Sequence, residues 1–85
     1  MYAEKKLHNI AFGMALRKER KGRLFTQESF GFAAGLDRTY VSLLELGECS
    51  PTLDTVVDVC AALKMPLADF AAQIDETLNQ LSHKK

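Results

Sequence analysis

Arg38, Thr39, Ser42 and Leu43 lie within the single segment RTYVSLLELG and carry side chains suited to reading another molecule's hydrogen-bonding surface. In a helix, positions 38, 39, 42, 43 and 46 share one face, since each residue turns about 100° from the last. That face offers a guanidinium, two hydroxyls and two leucines. An arginine at the start of such a helix can donate two parallel hydrogen bonds to guanine O6 and N7, about 1–3 kcal/mol of discrimination. Thr39 and Ser42 can donate to bases or phosphates, and Leu43 can meet a thymine methyl. Leu43 and Leu46 also suit contact with a protein. This is recognition chemistry. The chain has no Ser-His-Asp set, no paired carboxylates in an evident cleft, no phosphate-binding glycine loop and no metal-ligand spacing. Cys49 and Cys60 have no Cys or His close enough in sequence to form a zinc set, and His8 and His83 lie at opposite ends. Two free reduced thiols, no metal, no cofactor and no enzymatic activity are expected.

The elements that must position this face are legible around it. Gln27–Gly47 reads as two short helices joined by a tight turn. Thr26 can cap the first, from Gln27 to about Ala34, and Gly35 can end it in a left-handed conformation. Asp37 can cap the second, from Arg38 to about Leu46, ended by Gly47. Phe30, Ala34, Leu36, Val41 and Leu44 share an apolar side, and Gly31 lies where a side chain would hold two steeply crossed helices apart. That spacing is a helix-turn-helix.

Flanking it, a first helix is expected from about Glu4 to Lys21, with Leu7, Ile10, Ala11 and Met14 at helical spacing and Phe12 and Leu16 widening the face. Gly22 is expected to end it, and Phe25 to enter the core. A fourth helix, about Leu53 to Leu63, is capped by Thr52 and has an inner stripe of Leu53, Val56, Val57, Cys60 and Leu63. A fifth spans 66–81, with Pro66 in its first turn. It carries Leu67, Phe70, Ala71, Ile74, Leu78 and Leu81. The far end of that stripe (Ile74, Leu78, Leu81) extends beyond what five packed helices must cover, which suits a dimer surface.

Eighty-five residues, 47% of them hydrophobic, fit one compact all-α domain over 1–85. No apolar run approaches a membrane span and the polar start MYAEKKLHN is no signal peptide, so a cytoplasmic protein without membrane contact is expected. The net charge of zero is unevenly divided. Residues 1–24 hold seven basic side chains against two acidic, a net +5; residues 25–60 hold one against six, a net −5. Arg17, Lys18, Lys21 and Arg23 on the basic part can add electrostatic affinity for phosphates on one side of the molecule.

The segments FGMALRKER (Phe12–Arg20), TQE (Thr26–Glu28), AGLDRTYVSLLELG (Ala34–Gly47) and SPTLDTV (Ser50–Val56) together resemble the Xre/Cro-type helix-turn-helix family of phage repressors and restriction–modification controllers. The resemblance covers roughly Phe12 to Phe70. It implies a five-helix lambda repressor-like fold and a sequence-specific, double-stranded-DNA-binding transcriptional regulator, dimeric on a palindromic operator. Helix 38–46 would lie in the major groove. Control would come from the protein's own concentration, with no small-molecule effector. The resemblance further implies that Gln27 clamps a phosphate at the head of its helix and that Arg20 and Glu45 form an ion pair tying helix 1 to the recognition helix; Tyr40 is placed either for another phosphate contact or to pack on the first helix. Leu46 and Glu48 depart from the family, where many relatives carry arginine and a basic or amide residue. These departures, with Phe32 expected exposed, leave an alternative: an antitoxin or protein-interaction module on the same fold.

Overall fold

In the computed structural model, which describes residues 5–83, five helices follow one another: α1 Leu7–Gly22, α2 Gln27–Ala34, α3 Arg38–Glu45, α4 Leu53–Leu63 and α5 Leu67–His83. There is no strand among the described residues, so the expected all-α, five-helix architecture is the observed one.

Local chemistry sets where these helices start. At the head of α2 the Ser29 backbone N–H donates to Thr26 Oγ1 at 3.0 Å and the Thr26 N–H donates to Ser29 Oγ at 2.9 Å. The Asp37 carboxylate accepts from the Thr39 N–H at 2.9 Å, and Thr52 Oγ1 from the Thr55 N–H at 3.1 Å. Each cap satisfies a donor with no partner inside its helix, a contribution of about 1 kcal/mol.

The stops of α1 to α4 share one device. A left-handed residue (Leu24, Gly35, Gly47, Lys64) follows each helix, and its amide and the next turn back onto carbonyls of the last turn. Glycine adopts this conformation freely; leucine and lysine do so at a cost. Gly22, expected to end α1, is its last helical residue, and the reversal comes two positions later at Leu24, with φ 64°. The later reversal brings the Phe25 N–H to the Arg20 carbonyl at 3.1 Å and sets the Phe25 ring edge-on to Phe30, centroids 5.5 Å apart.

The core gathers Phe12, Leu16, Phe30, Val41, Leu44, Val59, Leu63 and Phe70, all buried. Each such side chain contributes about 1.5–3 kcal/mol through its removal from water. Phe12 and Phe70 meet edge to face at 5.6 Å and join α1 to α5. α1 also packs on α3 so closely that a Cβ on Gly13 would fall 2.4 Å from the Leu44 carbonyl oxygen. A Cβ on Gly31 would fall 2.5 Å from the Leu36 carbonyl oxygen and 3.6 Å from the Arg38 nitrogen, so the close approach expected between the two crossed helices is made to the turn and the head of α3.

Two expected faces are rotated. The start expected at Glu4 lies outside the described residues, and α1 begins at Leu7. Its covered positions are Asn9, Ala11, Phe12, Gly13, Ala15, Leu16 and Arg20, while Leu7 and Met14 are exposed. Gly13 admits the α3 backbone between the buried Ala11 and Ala15, so close backbone contact, and not the largest side chains alone, orients α1. On α4, Leu53 and Val57 are exposed and Thr55 and Val59 take their place beside Cys60 and Leu63. Thr55 can face inward because its hydroxyl bonds Thr52 Oγ1 at 3.1 Å and lies 3.5 Å from the Tyr40 hydroxyl. Pro66 precedes α5, accepting through its carbonyl from the Asp69 and Phe70 amides.

Away from α3, one polar cluster ties three helices. Glu19 accepts from Gln73 Nε2 and pairs with Arg23, whose Nε donates to the Leu63 carbonyl at 2.8 Å. The Gln73 hydrogen bond, followed by that from Arg23, holds the Glu19 carboxyl below its ordinary range.

Candidate nucleic-acid interface

α3 has one face in the core, through Val41 and Leu44, and the opposite face in solvent. Arg38 and Thr39 are exposed at its first turn, Ser42 is half-buried, and Leu43 and Leu46 are exposed further along. These are the positions expected to share an outward face, and the structure brings them together. Asp37 is committed to the Thr39 amide as a cap. Among the described residues, no ion pair or side-chain hydrogen bond occupies the Arg38 guanidinium.

Beneath this face lies a buried polar relay. Arg20 Nε and an Arg20 terminal nitrogen bind the two Glu45 oxygens at 2.6 and 3.0 Å, and the remaining Arg20 terminal nitrogen donates to the Phe25 carbonyl at 2.8 Å. The expected ion pair is therefore bidentate, with side chains only 7% and 1% exposed. Its third member is Gln27, whose Nε2 donates to Glu45 Oε1 at 3.1 Å. That amide is thus fixed from within, which leaves its other donor and its carbonyl for an external partner. Gln27, Arg38, Lys21 and Leu24 line one shallow open depression between the end of α1 and the heads of α2 and α3.

The remaining residues separate. Arg17 and Lys21 are exposed on α1, as a phosphate contact requires. Arg23 is drawn to the other side of its loop by Glu19 and the Leu63 carbonyl. Tyr40 is half-buried against the core, its hydroxyl near Thr55. On α5, Ile74 packs against the core from a half-buried position, and Leu78 and Leu81 are likewise half-buried. Burial pushes both thiols up, that of Cys49 with help from the Glu48 charge, so neither is an activated nucleophile.

Lys5 had no functional signal in sequence. Its Nζ donates to the Leu46 carbonyl at 3.1 Å and pairs with Glu48 at 3.2 Å, across the carboxyl end of α3. The partners are forty-one and forty-three positions away, so only the fold reveals them.

Two short helices crossed at a glycine, with an exposed polar face on the second, define a helix-turn-helix of the lambda repressor-like fold. The chain belongs to the Xre/Cro-like helix-turn-helix family of DNA-binding transcriptional regulators, as the match of the family model described as "Helix-turn-helix" to residues 16–70 shows. Its relatives include control protein C.MunI of Mycoplasma sp, 35% identical over 68 residues that make up 79% of this chain and 92% of that protein. Among solved structures, the clp gene regulator ClgR from Corynebacterium glutamicum superposes with a TM-score of 0.85, at 25% identity over 93% of this chain and 84% of that one. The restriction-modification controller protein C.AhdI from Aeromonas hydrophila gives 0.71, at 31% identity over 73% of this chain and 94% of that one. No helix among the described residues is long and apolar enough to cross a membrane.

Proposed function

We propose that residues 1–85 act as one domain, a sequence-specific regulator of transcription that binds a palindromic operator as a homodimer, with α3 in the major groove. The observation that carries this reading is the uncommitted Arg38 guanidinium at the head of α3, beside Thr39 and across one depression from Gln27. Arg38 reads guanine, Thr39 and Ser42 donate to bases or phosphates, and Leu43 meets a thymine methyl. Gln27, Arg17 and Lys21 contact phosphates and fix register without carrying sequence information. Tyr40 and Arg23 contribute to the phosphate surface mainly by holding its elements in place, since their polar ends already have internal neighbours.

The dimer forms through the far end of α5. Ile74, Leu78 and Leu81 keep part of their apolar surface in solvent, which a two-fold partner would cover. The kinship with control proteins of restriction–modification systems supports a regulator governed by its own concentration.

Anisotropy of labelled DNA from upstream of the protein's own gene, set against a scrambled duplex over a salt series, tests the reading. Tight, sequence-dependent binding that weakens with salt and collapses in Arg38→Ala is expected. Equal, weak binding of both duplexes at low salt, repeated after selection from random DNA, would overturn it. Sedimentation that finds only monomer at tens of micromolar would remove the dimer.

A second reading draws on Phe32, 91% exposed on α2, with Leu43 and Leu46 exposed on α3. These apolar side chains suit a protein-interaction module such as an antitoxin. A toxin gene beside this one, and loss of partner binding in Phe32→Ala, would favour it.

A further inference from the structure

We infer that Lys5 sets the grip of the carboxyl end of α3 on DNA, by neutralising together the helix-end carbonyl and the Glu48 carboxylate. The inference rests on α3 lying in the major groove, as proposed above.

One ammonium group spans the two negative features, 3.1 Å from the Leu46 carbonyl oxygen and 3.2 Å from Glu48. The pair is not needed to end the helix. The Gly47 and Glu48 amides already return to the Leu44 and Leu43 carbonyls at 3.1 and 3.0 Å. Nor does it add much to stability, since the two side chains are 43% and 46% exposed and such pairs are screened by solvent. Its effect is on the charge that α3 presents.

The last turn of α3 holds no basic residue, and Leu46 and Glu48 follow it. A helix in the major groove brings its flanks close to the phosphates on either side. The negative pole of the helix and a carboxylate there would repel them within a Debye length of about 8–10 Å. Lys5 cancels that repulsion from a segment distant in sequence, so the acid is tolerated beside the DNA.

The test compares the parent, Lys5→Ala, Glu48→Gln, the double variant and Arg38→Ala on two labelled duplexes. One carries the DNA upstream of the protein's own gene and the other a scrambled sequence, both over a salt series. Circular dichroism melting confirms that each variant folds. Lys5→Ala is expected to weaken binding to both duplexes about three- to tenfold at low salt, and Glu48→Gln to tighten it by a similar factor. The double variant should return to within about twofold of the parent, and all differences should shrink as salt rises. A double variant as weak as Lys5→Ala would overturn the inference, because Lys5 would then be touching phosphate directly. Unchanged binding in Lys5→Ala and Glu48→Gln, with collapse in Arg38→Ala, would overturn it while leaving the regulator intact. No binding by the parent, even to DNA selected from random sequence, would overturn both.

Discussion

The two ends of α3 differ in almost every respect. The amino end presents Arg38 and Thr39 to solvent, with Gln27 across one depression from it. The carboxyl end is tied to the core by the Arg20–Glu45 pair and presents Leu46 and Glu48, the latter paired with Lys5. One end is cationic and uncommitted. The other is apolar and acidic, held by a buried ion pair on its inner side and a surface contact on its outer. The contrast frames the proposed division of labour along one short helix: base reading would fall to the head, and the tail would set how hard the whole is pressed against phosphate.

The severest way to break this contrast is to remove the buried anchor of the carboxyl end. Glu45→Ala leaves the buried Arg20 guanidinium without its carboxylate, and thermal or urea unfolding should register a loss of about 3–5 kcal/mol. Arg20→Met with Glu45→Leu should recover much of that stability. The recovered protein should still bind DNA more weakly than the parent, because Gln27 has lost the acceptor that fixes its amide.

Next in size is Arg38→Ala, which leaves unfolding unchanged. It should cost about 1–3 kcal/mol on the preferred operator and little on scrambled DNA, as anisotropy would show. An equal loss on both would recast Arg38 as a phosphate contact and erase the distinction between the ends. Leu46→Arg makes the tail resemble the head. It should tighten binding to every duplex several-fold and steepen the salt dependence by about one unit of log–log slope, with no change in sequence preference.

The smallest effect belongs to a control remote from both ends. Glu19 has a lowered carboxyl pKa, so its contribution to stability is present above the ordinary value of 4.5 and is lost as pH falls through the lower folded value. Glu19→Gln should therefore melt slightly below the parent near neutral pH, and the two melting curves should converge in acid.

What was legible in the sequence follows from how local each signal is. Thr26, Gly35, Asp37 and Gly47 punctuate α2 and α3 through contacts within a few residues, so the helix-turn-helix and its outward face could be read directly. The Arg20–Glu45 pair was reachable only through family resemblance, since twenty-five positions separate the partners. The faces of α1 and α4 were misjudged for a different reason. Burial there is decided by small residues that admit a neighbouring backbone and by a threonine whose hydroxyl finds partners, and apolar spacing is blind to both. The Leu24 reversal is hidden in the same way, because a residue that dislikes a left-handed turn carries no mark of being held in one. Lys5 looked like any solvated lysine.

The absent side chain at Gly13 has a consequence for how the molecule would measure distance. α1 lies directly on the backbone of α3 at Gly13, and through the neighbouring Phe12 it packs on Phe70 of α5. In a two-fold pair joined through α5, the separation of the two recognition helices would run through that one backbone contact. Gly13→Ala would push α3 outward on each subunit and so lengthen the ruler at both ends. Its mark would be a change in the preferred gap between half-sites, roughly one helical turn or 34 Å centre to centre, while each half-site was still read correctly. In such a pair a single methyl group at this position would act as a unit of length along DNA.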